Sequence, residues 1–155
     1  MFYKKIKPFL EATPAIKQLA DSLLNKEKVQ ISNLNLSLKT LLIANTFRNE
    51  QKNILVVVSD DRLAEDYQNN LEILLSMEEV QFIPDYEVLP YEERSPHTTI
   101  RALRIRALSQ ILYSQQPNVY ICSIRTLVRN LLPSALLFKN IKKLKVGAEY
   151  DPDIL

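Results

Sequence analysis

Glycine is almost missing from this chain: there is one in 155 residues, at position 147. Glycine supplies positive φ and lets a backbone approach a phosphate closely. With none before Gly147, the usual glycine-rich phosphate cradles cannot form, which counts against several classes of nucleotide-dependent enzyme. Cysteine is as scarce. The single Cys122 permits no internal disulfide, which suits a reducing cytoplasm. Its place in an apolar, strand-like run reads as a core residue rather than a nucleophile. His97 is the only histidine, and with no Cys/His cluster a zinc site is excluded. No apolar run reaches transmembrane length, so no membrane contact is expected. Behind Lys4, Lys5 and Lys7, Pro8 and Glu11 interrupt what would have to be the apolar region of a signal peptide.

What is present suits one soluble domain with one core: 46% of residues are hydrophobic and 25% are charged. The arrangement of charge is less ordinary. From Asn49 to Glu93 there are twelve acids and two bases, a balance of −10; from Arg94 to Ala148 there are ten bases and no acid, a balance of +10. The net charge of +2 conceals this split. Such halves either pair internally or present one sign to a partner.

Strand and helix patterns alternate along the chain. Thr13-Pro14 opens a helix with Ile16, Leu19, Ala20, Leu23 and Leu24 on one face. Val29-Gln30-Ile31 reads as a short strand, and Leu34 to Phe47 contains a helix. Ile54 to Val58 is an uninterrupted branched run, the signature of a strand buried on both faces. Ser59, Asp60 or Asp61 caps a helix reaching about Leu75. Val80 to Ile83 and Val119 to Cys122 are further strands, and Ile141 to Val146 is a candidate fifth. Ser123 caps a short helix, Ile124 to Leu131, which Pro133 stops. The expected fold is α/β, a parallel β-sheet with helices on both faces.

The segment Asp85 to His97 has no usable helix or strand period. Its prolines forbid a central strand, and Pro90 pushes Leu89 out of helical space. Ser95 can then cap, and Pro96 can start, a strong helix from Thr98 to Ser114. The segment is thus expected to be an ordered loop that delivers a helix.

Four features invite a functional reading. Asn33 to Thr40 follows a strand pattern and opens a helix, which is the location of a phosphate-binding P-loop, with Lys39-Thr40 where its Lys-Ser/Thr pair would be. Asn33 and Leu38 stand where the two glycines belong, so the reading adopted is an ordinary turn without nucleotide. Arg104 falls inside the apolar arc made by Leu103, Ala107, Ile100, Ile111, Leu108 and Leu112. An arginine facing a core needs a partner, and Asp85, Glu87, Glu92 and Glu93 are the natural carboxylates. Arg104 is read as a clamp on the loop, with a phosphate or partner contact as the alternative. His97 has no nucleophile or carboxylate placed to work with it, so no catalytic residue is assigned. Lys139, Lys142, Lys143 and Lys145 either meet phosphate backbones or form the exposed face of an edge strand.

Leu89-Pro90-Tyr91-Glu92, Ser95-Pro96-His97 and, after six intervening residues, Arg104 form a motif that resembles the front module of the bacterial transcription-repair coupling factors, the Mfd family. That module is itself similar to the front of the excision-nuclease subunit UvrB. The resemblance extends to the degenerate P-loop at Asn33–Thr40, the strand at Ile54–Val58 and the segment Val119–Ser123. It implies a helicase-like, UvrB-like α/β domain over residues 1–140 that has lost ATPase function. Residues 141–155 would begin the following, UvrA-binding module. It implies a structural loop motif of Pro90, Glu92, Ser95, Pro96, His97 and Arg104, with Lys39 and Thr40 as a P-loop remnant. No cofactor is implied for this segment; ATP and magnesium belong to a motor far downstream. UvrA would bind through the following module, and RNA polymerase and DNA through later parts, with this segment a cytoplasmic monomer. UvrB keeps an intact P-loop and a long DNA-gripping hairpin, for which Pro84–His97 is too short. The function implied is a non-catalytic scaffold in transcription-coupled nucleotide excision repair. The rivals are a nucleotide-dependent DNA enzyme and a stand-alone nucleic-acid-binding module using the basic half.

Overall fold

Three branched apolar runs form the sheet: β1 (Ile54–Val58), β2 (Val80–Ile83) and β3 (Val119–Ser123). The computed structural model describes residues 2–25, 27–86, 95–140, 146–147 and 149. The strand order is β1-β3-β2 and both pairings are parallel, with Val119 opposite Ile54 on one side and opposite Val80 on the other. Around the sheet lie α1 (Phe2–Ala12), α2 (Pro14–Leu24), α3 (Leu36–Glu50), α4 (Asp61–Leu74), α5 (Thr98–Tyr113), α6 (Ile124–Val128) and α7 (Ser134–Asn140).

The topology follows from the connections. The chain passes from β1 to the far edge through α4, then returns to the centre through α5. Right-handed crossovers running in opposite directions put their helices on opposite faces. One core accordingly joins Val56, Val80, Val119 and Ile121 to Ala44 and Phe47 of α3 and to Ala64, Tyr67 and Leu71 of α4. The smaller second core joins Ile83, Tyr120 and Cys122 to Ala107 of α5. Phe47 and Leu71 are fully enclosed, and each such side chain contributes about 1.5–3 kcal/mol through burial.

Local chemistry sets the helix starts. Asp60 caps α4 by accepting from the Leu63 N–H at 2.9 Å, and Asn35 caps α3 by accepting from the Leu38 N–H at 2.9 Å. Ser123 ends β3 and caps α6 through the Thr126 N–H. His97, not Ser95, caps α5: its Nδ1 accepts from the Thr99 N–H at 3.3 Å.

Several expectations need correction. Val29–Ile31 forms no strand and pairs with none of the strands among the described residues. Ile54–Val58 is not buried on both faces. β1 is an edge strand, α5 lies over β2, and Leu55 and Val57 on the second face are exposed. On α5 only Arg104 and Ala107 are buried, while Leu103, Ile105 and Ile111 are exposed. The short helix ends at Val128, before Leu131. The candidate strand at 141–146 and the domain boundary at 140/141 fall largely outside the described residues.

Candidate functional site

In an open parallel sheet, ligands bind beyond the carboxyl ends of the strands, where the order of connection reverses. Here β1 runs into Ser59-Asp60-Asp61, β2 into Pro84-Asp85-Tyr86, and β3 into Ser123. Helix α5 brings Arg104 to this end at 2% exposure. Arg104 Nη1 donates to the Pro84 carbonyl oxygen at 2.5 Å, and the guanidinium lies 4.0 Å from the centre of the Tyr86 ring. A desolvated cation over an aromatic face contributes on the order of 2 kcal/mol. Nε and Nη2 of Arg104 have no hydrogen-bond partner among the described residues.

The expected carboxylate partner is therefore not the one found. Asp85 pairs with Arg129, just beyond α6: Arg129 Nε lies 2.6 Å from Oδ1, and Nη2 donates to Oδ2 at 3.4 Å. The Nε contact is Coulombic, because its N–H is not aligned on Oδ1. The Asp85 N–H in turn donates to Asp61 Oδ2 at 2.6 Å, leaving Asp61 Oδ1 buried and without a hydrogen-bond partner among the described residues. A backbone carbonyl carries no signal in a sequence, so the Pro84 oxygen could not have been read as a partner. Arg129 and Asp61 could have been suspected, since each lies within a few residues of a strand's carboxyl end.

Three elements thus converge on Pro84-Asp85-Tyr86: α4 through Asp61, α5 through Arg104, and the end of α6 through Arg129. Part of the crevice's polar surface is engaged by the chain itself, while Asp61 Oδ1 and Arg104 Nε and Nη2 have no hydrogen-bond partner among the described residues. Cys122 lies on the same face of β3 as this cluster. Burial raises its thiol pKa, Asp61 raises it further, and Arg104 opposes. It is an inert thiol at neutral pH. Among the described residues no group of His, Cys, Asp and Glu could hold a metal ion.

The turn at Asn33–Thr40 is built differently. Asn33 takes φ +60°, the left-handed conformation for which asparagine is the best substitute for glycine. The Leu38 N–H is held by the Asn35 side chain and the Lys39 N–H by the Asn35 carbonyl. Thr40 is buried, and its hydroxyl donates to the Leu36 and Ser37 carbonyls at 3.1 and 3.0 Å. Lys39 is exposed beside an apolar cavity of about 430 Å³ that reaches Ile54. Two amides of the turn, those of Leu38 and Lys39, and the Thr40 hydroxyl are engaged here within the turn and its helix.

Of the loop motif, Arg104 is placed as described and His97 serves as a cap. Ser95 is exposed and Pro96 half-buried. Pro90 and Glu92 lie outside the described residues.

Comparison with known proteins places a relative beside this geometry. The chain is similar to the transcription-repair-coupling factor of Haemophilus influenzae, with 32% identity over 98 residues. The match takes in 63% of this chain and only 8% of that protein. No protein-family model matches the chain, and no solved structure matches it significantly.

Proposed function

We propose that this chain is a non-catalytic scaffold module of a transcription-repair coupling factor. In this reading it acts in the cytoplasm, in transcription-coupled nucleotide excision repair, by supporting recruitment of UvrA to stalled RNA polymerase. The observation that carries the reading is the 32% identity with the coupling factor of Haemophilus influenzae. Two features of the fold support the non-catalytic part. In the turn at Asn33–Thr40 the Leu38 and Lys39 N–H groups and the Thr40 hydroxyl are bonded locally, and at the strand ends Arg104, Asp61, Asp85 and Arg129 bond to the chain itself. No described helix is long and apolar enough to cross a membrane. UvrA, RNA polymerase and DNA belong to the reading as partners of the whole factor, with UvrA bound through the module that follows this one.

A pull-down at physiological salt tests the reading. Residues 1–155 alone should capture little UvrA, and a longer polypeptide running through the following module should capture it readily. Equal capture by the two would place the partner surface inside this chain and end the scaffold assignment. The basic residues between Arg94 and Lys145 give a rival, a DNA-binding module, which predicts DNA affinity falling steeply with salt.

A further inference from the structure

Parallel sheets are normally covered by helices on both faces, and one part of this sheet is not. In the register with β3, Leu55 stands beside Tyr120 and Val57 beside Cys122. Tyr120 and Cys122 pack with Ala107 of α5, so Leu55 and Val57 belong to the same face. The cover stops short of them: Leu55 is 55% exposed and Val57 43%. On the other face Val56 is buried in the core with α3 and α4. Strand β1 is thus covered on one side only, and its bare side is apolar.

The bare strip is bounded by α5 and by the ends of α6 and α7. Leu103 and Arg106 of α5 line a cavity with Val80 and Phe82, so that flank of the helix faces β2. At about 100° per residue, the opposite flank carries Arg101, Ile105, Leu108 and Leu112, and it faces β1. Ile105 is exposed, and Leu108 and Leu112 are half-buried. Toward the amino end of the strands, α7 meets α5 where the Phe138 and Tyr113 rings touch edge to face at 5.1 Å. At the carboxyl end of β1, the Ser59 hydroxyl, then the Leu63 N–H, lower the Asp60 pKa, and Arg62 and Arg125 add to this at longer range. Arg125 of α6 therefore lies within electrostatic reach of that strand end.

Charge decides the occupant. Arg101, Arg125 and Lys139 are exposed and take part in none of the ion pairs among the described residues. Helices α5, α6 and α7 contain no acidic residue. Asp60 is an acid near this rim, and it is already bonded to the Ser59 hydroxyl and the Leu63 N–H. A second copy of the chain offers no matching helix. Acidic α4 exposes Glu65 and Asp66, but Ile73 is its one largely exposed apolar side chain. The residues after α7 bring Lys142, Lys143 and Lys145, of the same sign as the rim.

We propose that the bare face of β1 is a docking site for an acidic amphipathic helix of another protein. The apolar stripe of that helix lies on Leu55 and Val57 beside the α5 flank, and its carboxylates meet Arg101 and Arg125. The five residues of β1 extend about 16 Å, which about eleven helical residues match. The site is independent of the coupling-factor reading, since it rests on the coverage of the sheet and the charge around it.

The probe is a helical peptide of leucine, glutamate and alanine, with the leucines on one face and glutamates flanking them, titrated into ¹⁵N-labelled residues 1–155. Binding should shift the amides of Ile54–Val58 and of Ile105 more than those of β2. Replacing every glutamate by lysine keeps the apolar stripe and should weaken binding at least about tenfold at low salt. Leu55→Asp should abolish binding, and Arg101→Glu with Arg125→Glu should reverse the preference between the two peptides. Leu55 is exposed, so its variant keeps the fold; the lysine peptide tests the same claim on the unaltered protein. No binding at millimolar peptide, equal binding of the two peptides, or shifts that leave β1 untouched overturns the proposal. Sedimentation equilibrium of the protein alone should show a monomer. A dimer that Leu55→Asp dissociates would put a second copy on this face and overturn it as well.

Discussion

The turn at Asn33–Thr40 and the segment Pro84–Tyr86 are the two places where this fold would be expected to hold a ligand, and they use their polar groups in opposite ways. The first is solved locally: Asn35 and Thr40 bond to atoms three or four positions away. The second is solved at long range, through partners separated in sequence by 20, 24 and 44 positions. Local bonds give a turn without glycine a defined shape. Long-range bonds tie α4, α5 and the end of α6 to one short piece of backbone. The first set of bonds holds one turn of backbone; the second holds three helices against one strand end.

The comparison predicts unequal damage. Arg104→Ala removes the contact with Tyr86 and leaves the buried Pro84 carbonyl without a donor, which should cost about 3 kcal/mol in urea denaturation. Arg104→Met keeps the packing and removes two buried donors that have no partner, so it should cost less, about 1–2 kcal/mol. Equal losses in the two variants would mean that the guanidinium contributes only its volume.

A smaller effect is expected at the other end of β2. Arg48 on α3 reaches Glu79 with both terminal nitrogens, at 2.5 and 2.8 Å, and Glu79 also accepts from the Ser76 N–H and hydroxyl. Burial pushes the Glu79 pKa up, but hydrogen bonds from Ser76 and Arg48 outweigh it, and the net shift is downward. A carboxylate lowered in the folded state stabilises the fold above its unfolded pKa, roughly 4.3 for glutamate, and loses that contribution as pH falls through the folded value. Glu79→Gln should therefore cost about 1 kcal/mol at pH 7 and progressively less toward about pH 3. Chemical denaturation of both proteins across that range checks the sign; a gap that widens on acidification would contradict it.

The smallest effect belongs to the turn at Asn33–Thr40. Lys39 is exposed and takes part in none of the described ion pairs, so Lys39→Ala should change stability by less than about 0.5 kcal/mol. A loss comparable to that of Arg104→Ala would mean that the turn is held by something other than its local bonds.

Much of the layout is legible in the residues, for identifiable reasons. Apolar periodicity and capping residues mark α2, α3, α4 and α5, and branched runs mark all three strands. The burial of Arg104 follows from its place in an apolar arc. Other features have no local signature. Val29-Gln30-Ile31 has a strand pattern, but pairing needs a neighbouring edge, and none is supplied there. Ile54–Val58 carries the apolar content of a central strand, yet its second face is left open because α5 packs over β2. Nothing anticipates α1, with Pro8 inside it, or α7, which starts just after Pro133. The partners of Arg104 are a carbonyl and an aromatic face, neither of which a charge pattern can reveal.

The central claim is that the polar groups at the strand ends and in the turn at Asn33–Thr40 serve the fold rather than a nucleotide. Isothermal titration of residues 1–155 with ATP and magnesium tests it most directly. The account predicts no heat of binding at any concentration up to millimolar. Micromolar affinity that Lys39→Ala abolishes would contradict it and restore the turn at Asn33–Thr40 as a working phosphate site.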